Sequence, residues 1–302
     1  MHRHNVVAAA LSGDGARLAT GSVGGEVLVW STRPLVPVRD LAPAARRGKI
    51  SALALSPDGS EALVAPDWKP AIERWDVGAG AQRGELVAHT GRITAIAYAP
   101  GGGLIATGGD DRTQAKAPAD DDDAPPPLAA PTVRLWRGSA RVGELAGLTQ
   151  RIGAIAFNRD GSLVAAGGEG AVKVWRTADG AELATYRLDG EAAAVAFRGE
   201  QLCAASSEAA ACFAGPNAVA AAIAGARAPT RAAAFTAGWL ATGTFGTVEV
   251  RDAAGTLRAS LAGRAYAIVG LGDDLWAILS DQAIPVHAGV AAAPIAIKVP
   301  AR

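Results

Sequence analysis

One pattern of short apolar segments and turns recurs along this chain at a period of about 40 residues. The clearest copy begins at Arg151 and reads RIGAIAFNRDGSLVAAGGEGAVKVWRTADGAELATYRL, and similar copies begin at Lys49 and Arg92. A repeat of this length cannot bury its own apolar face, so neighbouring copies must stack on one another. The recurrence therefore restricts the fold to repeat architectures, which offer binding surfaces more often than catalytic clefts.

Each copy predicts four short β-strands, which we label a to d from its start. In the copy from Arg151 they fall at residues 152–157, 163–166, 172–176 and 182–188. Asn, Asp and Gly fill the turn between a and b, as a tight hairpin requires, and apolar and polar residues alternate along strand c. Four-stranded units at regular spacing predict an all-β fold, a seven-bladed β-propeller of four-stranded antiparallel blades.

The count of seven comes from one position in strand c. Tryptophan fills it in the first four copies and other residues fill it in the last three, which gives Trp30, Trp75, Trp136, Trp175, Phe213, Arg251 and His287. We expect one domain over 1–302, with blades at 1–48, 49–91, 92–150, 151–190, 191–228, 229–264 and 265–302. The last blade should end with its own strand d at 294–299, so that it meets the first blade without a shared strand.

These motifs resemble the WD-repeat β-propeller family. The matching residues include a Ser-Pro-Asp-Gly turn at 56–59, an Ala-Thr-Gly-Gly-Asp-Asp segment at 106–111 and Val-Arg-Leu-Trp at 133–136, while a Trp-Asp pair remains only at Trp75-Asp76. The resemblance covers essentially the whole chain, and it is strong in the first four units and degenerate in the last three. Abundant alanine, and arginine in excess of lysine, indicate a bacterial coding bias.

The resemblance implies a buried hydrogen-bonded set in each well-preserved unit. In the family this set joins a His before strand a, a Ser or Thr in strand b, an Asp in the b–c turn and the Trp of strand c. The third unit supplies all four, which are His89, Thr107, Asp111 and Trp136. The first unit supplies His2, Thr20 and Trp30 but has Gly24 where the Asp would lie. Because buried polar groups need partners, we expect these residues to be structural rather than catalytic.

In the family, the d–a loops and b–c turns share one face beside the central channel, which we call the channel-mouth face. Lys49, Arg92 and Arg151 precede strand a in three successive units. They form either a solvated rim or a basic crescent for an acidic partner. Trp68, with Lys69 beside it, falls in the b–c turn of the second unit. It is either an anchor for a partner or a ring lying flat on its neighbours.

The third unit carries an insertion at 112–131, RTQAKAPADDDDAPPPLAAP, directly after Asp110 and Asp111. A run of prolines follows its four acidic residues, Asp120, Asp121, Asp122 and Asp123. Like charges repel and proline cannot join a sheet, so the pattern predicts a disordered loop. It is either a tolerated insertion or an acidic arm, which would bind a basic partner or a cation, or fold back onto the basic residues. The spacing does not fit a dedicated calcium loop.

Composition narrows the partner and the compartment. The chain has 29 basic and 29 acidic residues, whereas a nucleic-acid surface needs a basic excess. No signal peptide is visible, and the longest uncharged run, 209–226, is mostly alanine broken by Gly and Pro, so we expect a cytoplasmic protein. The two cysteines, Cys203 and Cys212, could pair across a hairpin, but two free buried thiols are expected in a reducing compartment.

Catalysis is not expected. The predicted copies of strand a, which should line the channel, contain no Asp or Glu, and the chain has only four His. A catalytic site needs convergent titratable groups. We expect a non-catalytic scaffold, monomeric by itself, that binds a protein or peptide partner on the channel-mouth face, with no cofactor, metal, nucleic acid or membrane. The alternative is a propeller that binds a small ligand or a metal in its channel, such as a hydrolase or lactonase.

Overall fold

The computed structural model describes residues 1–41, 48–111, 132–148, 151–199, 201–214, 221–223, 232–236, 238–244, 246–271, 274–279, 282–287, 290–291 and 295–296. Within these ranges every regular element is a β-strand, and no α-helix occurs. The insertion at 112–131 lies outside the described residues, and so do its acidic candidates Asp120, Asp121, Asp122 and Asp123.

The first twelve strands form three sheets of four strands, each in chain order. The first sheet contains β1 (Val6–Leu11), β2 (Arg17–Ser22), β3 (Val27–Thr32) and β4 (Leu35–Asp40). The second contains β5 (Ile50–Leu55), β6 (Glu61–Pro66), β7 (Ala71–Asp76) and β8 (Ala81–Val87). The third contains β9 (Ile93–Tyr98), β10 (Ile105–Gly109), β11 (Val133–Arg137) and β12 (Ala140–Leu145).

A seven-stranded sheet follows, again in chain order. Its strands are β13 (Ala154–Phe157), β14 (Leu163–Gly167), β15 (Glu169–Arg176), β16 (Glu182–Arg198), β17 (Gln201–Ser206), β18 (Ala210–Phe213) and β19 (Ala221–Ala222). The strand β16 has 17 residues. Its first part pairs with β15 and its last part, from Ala192, pairs with β17. One continuous strand therefore serves as the outer strand of one unit and the inner strand of the next.

The last two sheets have four and five strands. One contains β20 (Ala232–Phe235), β21 (Trp239–Gly243), β22 (Thr247–Asp252) and β23 (Leu257–Ala262). The other contains β24 (Ala267–Leu271), β25 (Asp274–Ile278), β26 (Gln282–His287), β27 (Val290–Ala291) and β28 (Ile295–Ala296). Both β27 and β28 pair with β26, which gives this sheet its own outer strand in two pieces.

The molecule is an all-β propeller with four-stranded antiparallel blades. The described strands form six hydrogen-bonded sheets, however, where the sequence predicts seven blades. The difference arises at β16, because no loop separates the fourth and fifth predicted units, and the strand runs from one into the other.

The apolar core lies between neighbouring sheets, and small residues in the second strand of a unit make room for it. A Cβ atom at Gly21 would lie 2.9 Å from Ile50 of the next sheet, and one at Gly108 would lie 2.5 Å from Ile152. At these two junctions, glycine therefore lets the first side chain of the following unit enter the gap between sheets.

The first and last sheets meet without a shared strand among the described pairings, since β1 pairs with β2. This agrees with the expectation of blades that are contiguous in sequence. An apolar cluster fills the seam, and it includes Val6, Trp30, Trp276 and Ile278. Ile278 pairs with Ala267 as Gly108 pairs with Ala95, so a bulky residue stands where glycine stands elsewhere.

Candidate interaction face

The third sheet holds a continuous hydrogen-bonded set. The indole Nε1 of Trp136 donates to Oγ1 of Thr107 (3.0 Å), and Nε2 and Nδ1 of His89 lie 2.8 Å from Thr107 Oγ1 and 2.9 Å from Asp111 Oδ2. All four side chains are buried. An indole N–H only donates and a carboxylate only accepts, so Thr107 accepts from Trp136 and Asp111 accepts from the Nδ1–H of His89. The set ties the loop before β9 to the turn after β10.

Asp111 is held as a carboxylate in this set. Burial opposes its ionisation, but bonds from His89 and from the backbone N–H of Thr90 outweigh burial and lower the pKa of Asp111 to about 2. A fixed carboxylate at this position stabilises the start of the turn on the channel-mouth face.

The first sheet contains the corresponding set, centred on Thr20. Its hydroxyl oxygen accepts from Trp30 Nε1 at 2.7 Å and lies 2.7 Å from His2 Nε2. Burial lowers the pKa of His2 to about 4, so its imidazole is neutral near pH 7. Thr20 and Thr107 therefore occupy equivalent positions in the two sheets, and each threonine hydroxyl lies between an indole and an imidazole.

The carboxylate of the first set comes from Glu26, which the sequence analysis missed. Glu26 Oε2 lies 3.5 Å from His2 Nδ1, and its carboxylate accepts from the backbone N–H groups of Arg3 (2.8 Å) and His4 (3.2 Å). The family pattern places the acid at the start of the turn, where this chain has Gly24. The longer side chain of Glu26 reaches the same histidine from the other end of the turn.

The second sheet satisfies its tryptophan differently. Val64 occupies the position of the hydroxyl residue, opposite Glu73, and Trp75 Nε1 donates to Glu73 Oε2 at 3.1 Å. Lys69 Nζ lies 3.2 Å from Glu73 Oε1 and 2.5 Å from Glu85 Oε1. Lys69, a candidate for partner binding, is thus the counterion of a buried carboxylate, because a buried charge requires a partner.

Trp68 projects from the turn after β6 and is 64% exposed. Its ring lies against Gly48, where an added Cβ would come within 2.8 Å of Trp68 Cδ1. The backbone N–H of Asp67 donates to the carbonyl of Lys49 at 2.8 Å, which holds this turn beside the loop before β5. Trp68 is therefore both exposed and supported from below.

The basic residues of the channel-mouth face differ in their ionic partners. Arg92 Nη1 lies 3.1 Å from Asp67 Oδ1 and its Nε lies 3.5 Å from Asp110 Oδ2. Arg151 forms an ion pair with Glu191. Lys49 is exposed. The structure therefore balances the charge of both arginines of the predicted crescent within the fold.

The central channel is lined by the inner strands and has a volume of about 550 Å³. Its described lining is mainly alanine and other apolar residues, with no Asp, Glu or His. The hydroxyls of Ser51 and Thr94 are already engaged, because they donate to the carbonyls of Ile93 (2.7 Å) and Ile152 (2.5 Å) of the following sheets. Within the described part of the chain, no cluster of His, Cys, Asp and Glu could hold a metal.

Cys203 and Cys212 lie directly opposite each other on β17 and β18 and form a disulfide. The expectation of two free thiols is therefore wrong. The expectation rested on a reducing compartment, in which disulfides are rare. The antiparallel register brings the two Cβ atoms close together, and this geometry permits the bond.

Comparison with known families gives three matches along the chain. The model for the WD domain, G-beta repeat, matches residues 1–31, 80–113 and 140–176. The first match, 1–31, spans β1 to β3 of the first sheet, whereas the second spans β8 to β10 and the third spans β12 to β15, so these two begin at an outer strand and continue into the next sheet. The chain therefore contains three WD repeats within a β-propeller.

WD-repeat propellers typically mediate protein–protein interactions and are generally non-catalytic scaffolds. No curated protein matches this WD-repeat chain. In the part of the chain that the structure describes, no helix is long and apolar enough to cross a membrane.

Proposed function

We propose that this WD-repeat propeller is a non-catalytic scaffold that binds a protein or peptide partner on its channel-mouth face. The observation that carries the proposal is Trp68, an aromatic ring exposed on a turn that the backbone and Gly48 support. Aromatic residues on rigid supports are typical anchors of protein interfaces. Arg92 and Arg151 already form ion pairs within the protein, so a basic crescent is a weaker candidate for the binding site than Trp68 and Lys49.

The channel lining supports a scaffold over the alternative of a channel ligand. Its described residues include no Asp, Glu or His, and a hydrolase or lactonase would need carboxylates or imidazoles there. A thermal-shift screen with divalent cations and small organic acids tests this choice. A reproducible rise in melting temperature with one of them would favour the channel site.

We infer that the ring has seven blades, with the seven-stranded sheet counting as two. The change of pairing partner within β16 supports this division, since the part before Ala192 pairs backward to β15 and the rest pairs forward to β17. An experimental structure that shows six blades around the axis would contradict it.

A monomer in a bacterial cytoplasm, without nucleic-acid or membrane partners, stays a proposal from the sequence. The Cys203–Cys212 disulfide instead favours an oxidising compartment, because disulfides persist mainly in oxidising environments. Light scattering on the purified protein tests the monomer, and a fluorescent fusion in the native host tests the compartment.

Site-specific photo-crosslinking in the native host tests the proposed face. A benzophenone amino acid is placed at Val23 or Pro70, which are exposed on channel-mouth turns, and in matched variants at Gly101 or Ser139, which are exposed on turns of the opposite face. We expect one protein to be crosslinked from the first pair only. Equal crosslinking from both faces, or none from the channel-mouth face, would refute the proposal.

A further inference from the structure

Trp68, Gly48 and Lys49 form a single exposed surface, which we call the Trp68 patch. Trp68 is 64% exposed, Lys49 and Gly48 are exposed, and the ring lies on the Cα of Gly48. The hydrogen bond from Asp67 to the Lys49 carbonyl (2.8 Å) fixes the two chain segments next to each other. A ring that is already held in place loses little conformational freedom when a partner covers it.

The two lysines beside Trp68 differ in their ionic partners. On its outer side, Lys69 Nζ lies 5.4 Å from the Trp68 ring centroid, but that ammonium is shared between Glu73 and Glu85. On its inner side, no carboxylate of the described residues forms an ion pair with Lys49, whereas the neighbouring Arg92 lies between Asp67 and Asp110. Among the described basic residues around Trp68, the positive charge left for a partner is therefore that of Lys49.

We propose that the Trp68 patch binds an acidic peptide segment of a partner protein. An apolar side chain of the segment packs on the exposed face of the indole, and a carboxylate beside it pairs with the Lys49 ammonium. Packing on the ring supplies most of the affinity, while the charge pair selects acidic sequences and speeds association. This inference rests on the proposed function and names the chemistry of its partner.

Selection from a displayed library of random dodecapeptides, with the folded wild-type protein as bait, tests the inference. Enriched peptides should carry net negative charge and at least one apolar residue. Affinities of labelled copies are then measured by fluorescence anisotropy. We expect Trp68→Ala to weaken binding about 30-fold and Lys49→Glu about tenfold. Trp68→Phe should restore most of the affinity, and raising salt should weaken binding.

Matched controls separate the patch from general surface effects. Val87 is another exposed apolar residue, 72% exposed on β8, and Arg187, on β16, has a side chain that is 91% exposed. Val87→Ala and Arg187→Glu repeat the loss of apolar surface and the reversal of charge away from the patch, and should leave the affinity unchanged. Circular dichroism and melting curves verify that each variant is folded.

The outcomes distinguish this inference from the proposed function. Acidic peptides that lose affinity in both patch variants but in neither control support it. Neutral or basic peptides, or peptides that bind Trp68→Ala as tightly as wild type, overturn it, while their binding to the propeller agrees with the proposed function. A library without enriched peptides overturns it as well, and the crosslinking experiment then decides the proposed function separately.

Discussion

At the scale of single residues, the side chain at the strand-c position donates its hydrogen bond to different acceptors in different sheets. A polar hydrogen at the strand-c position must find an acceptor once the sheets have packed. Threonine accepts it from Trp30 and Trp136. Glu73 accepts it from Trp75, and Glu249 pairs in the same way with Arg251, two residues further along the strand. The recurring tryptophan is thus one of several groups that can occupy this position.

Replacing Thr107 tests the worth of the hydrogen-bonded set. In Thr107→Val the indole N–H of Trp136 and the Nε2 of His89 lose their shared partner, and both remain buried. Each orphaned group costs about 1–3 kcal/mol, so we expect the free energy of unfolding to fall by about 2–4 kcal/mol. Urea denaturation measures it. Thr256→Val, at an exposed turn position, should change stability by less than about 0.5 kcal/mol.

Acid should destabilise the propeller through His2 in a defined window. The pKa of His2 is lowered by burial from 6.5 to about 4, so between these values the unfolded chain binds the proton and the folded chain does not. Stability from this group is complete above pH 6.5 and is lost as the pH falls toward 4, amounting to about 3 kcal/mol. Urea denaturation from pH 7 to pH 4 should show the loss, and His2→Gln should show a weaker dependence over that window. An unchanged slope would contradict the assignment, and the exposed His4→Gln is the control.

At the scale of elements, glycine in the second strand sets how closely neighbouring sheets approach. A Cβ at Gly21 or Gly108 would overlap the following sheet, and one at Gly167 would overlap Ala192 in the last part of β16. The role of these glycines is to leave room for side chains of the next predicted unit. The fourth and fifth predicted units are joined more closely still. Because β16 pairs with both β15 and β17, backbone hydrogen bonds as well as side chains connect these two units.

Filling this space should strain the contact between the third and fourth predicted blades. In Gly108→Val the new Cβ would lie 2.5 Å from Ile152 Cγ2, and such overpacking typically costs about 1–3 kcal/mol. Adding Ile152→Ala should recover part of the loss, which a double-mutant cycle in urea would measure as coupling. Strictly additive effects would contradict direct contact. Gly101→Ala, with nothing within 4 Å of the new Cβ, is the matched control.

At the scale of the whole molecule, the ring closes by side-chain packing alone at its seam. The apolar cluster of Val6, Trp30, Trp276 and Ile278 joins the first and last sheets, and no described strand pairs across them. A cavity of about 780 Å³ lies beside this cluster, lined from both sheets. Other neighbouring sheets follow one another along the chain, whereas the first and last sheets do not, so the seam is the place where we expect opening to begin.

Hydrogen exchange measured by mass spectrometry tests the seam. Amides of β1, β24 and β25 should exchange faster than those of β5, β6, β9 and β10, because the first and last sheets are not consecutive along the chain and side-chain packing joins them. Ile278→Ala should accelerate exchange in the first and last sheets before it does so elsewhere. Slowest exchange at the seam would contradict this account of ring closure.

Much of the fold was predictable because it depends on local pattern. The recurring strands and turns identify a propeller, and the third blade contains all four members of its hydrogen-bonded set in sequence register. The exposed Trp68 was also a sequence candidate, since it falls in a turn. By contrast, the single strand β16 was predicted as two, because an Asp-Gly pair at 189–190 reads as a turn although the backbone continues through it as a strand.

By itself, the sequence determined the repeat, the order of strands within each unit, and an inner surface without carboxylates, since these follow from residue type and spacing along the chain. Only the tertiary structure decided which charges stay available to a partner. Asp67 and Asp110 bind Arg92, Glu191 binds Arg151, and Glu73 holds Lys69. Most of these contacts join different blades or opposite ends of a turn. They depend on the distance that a side chain can reach across the packed ring, which spacing in the sequence does not specify.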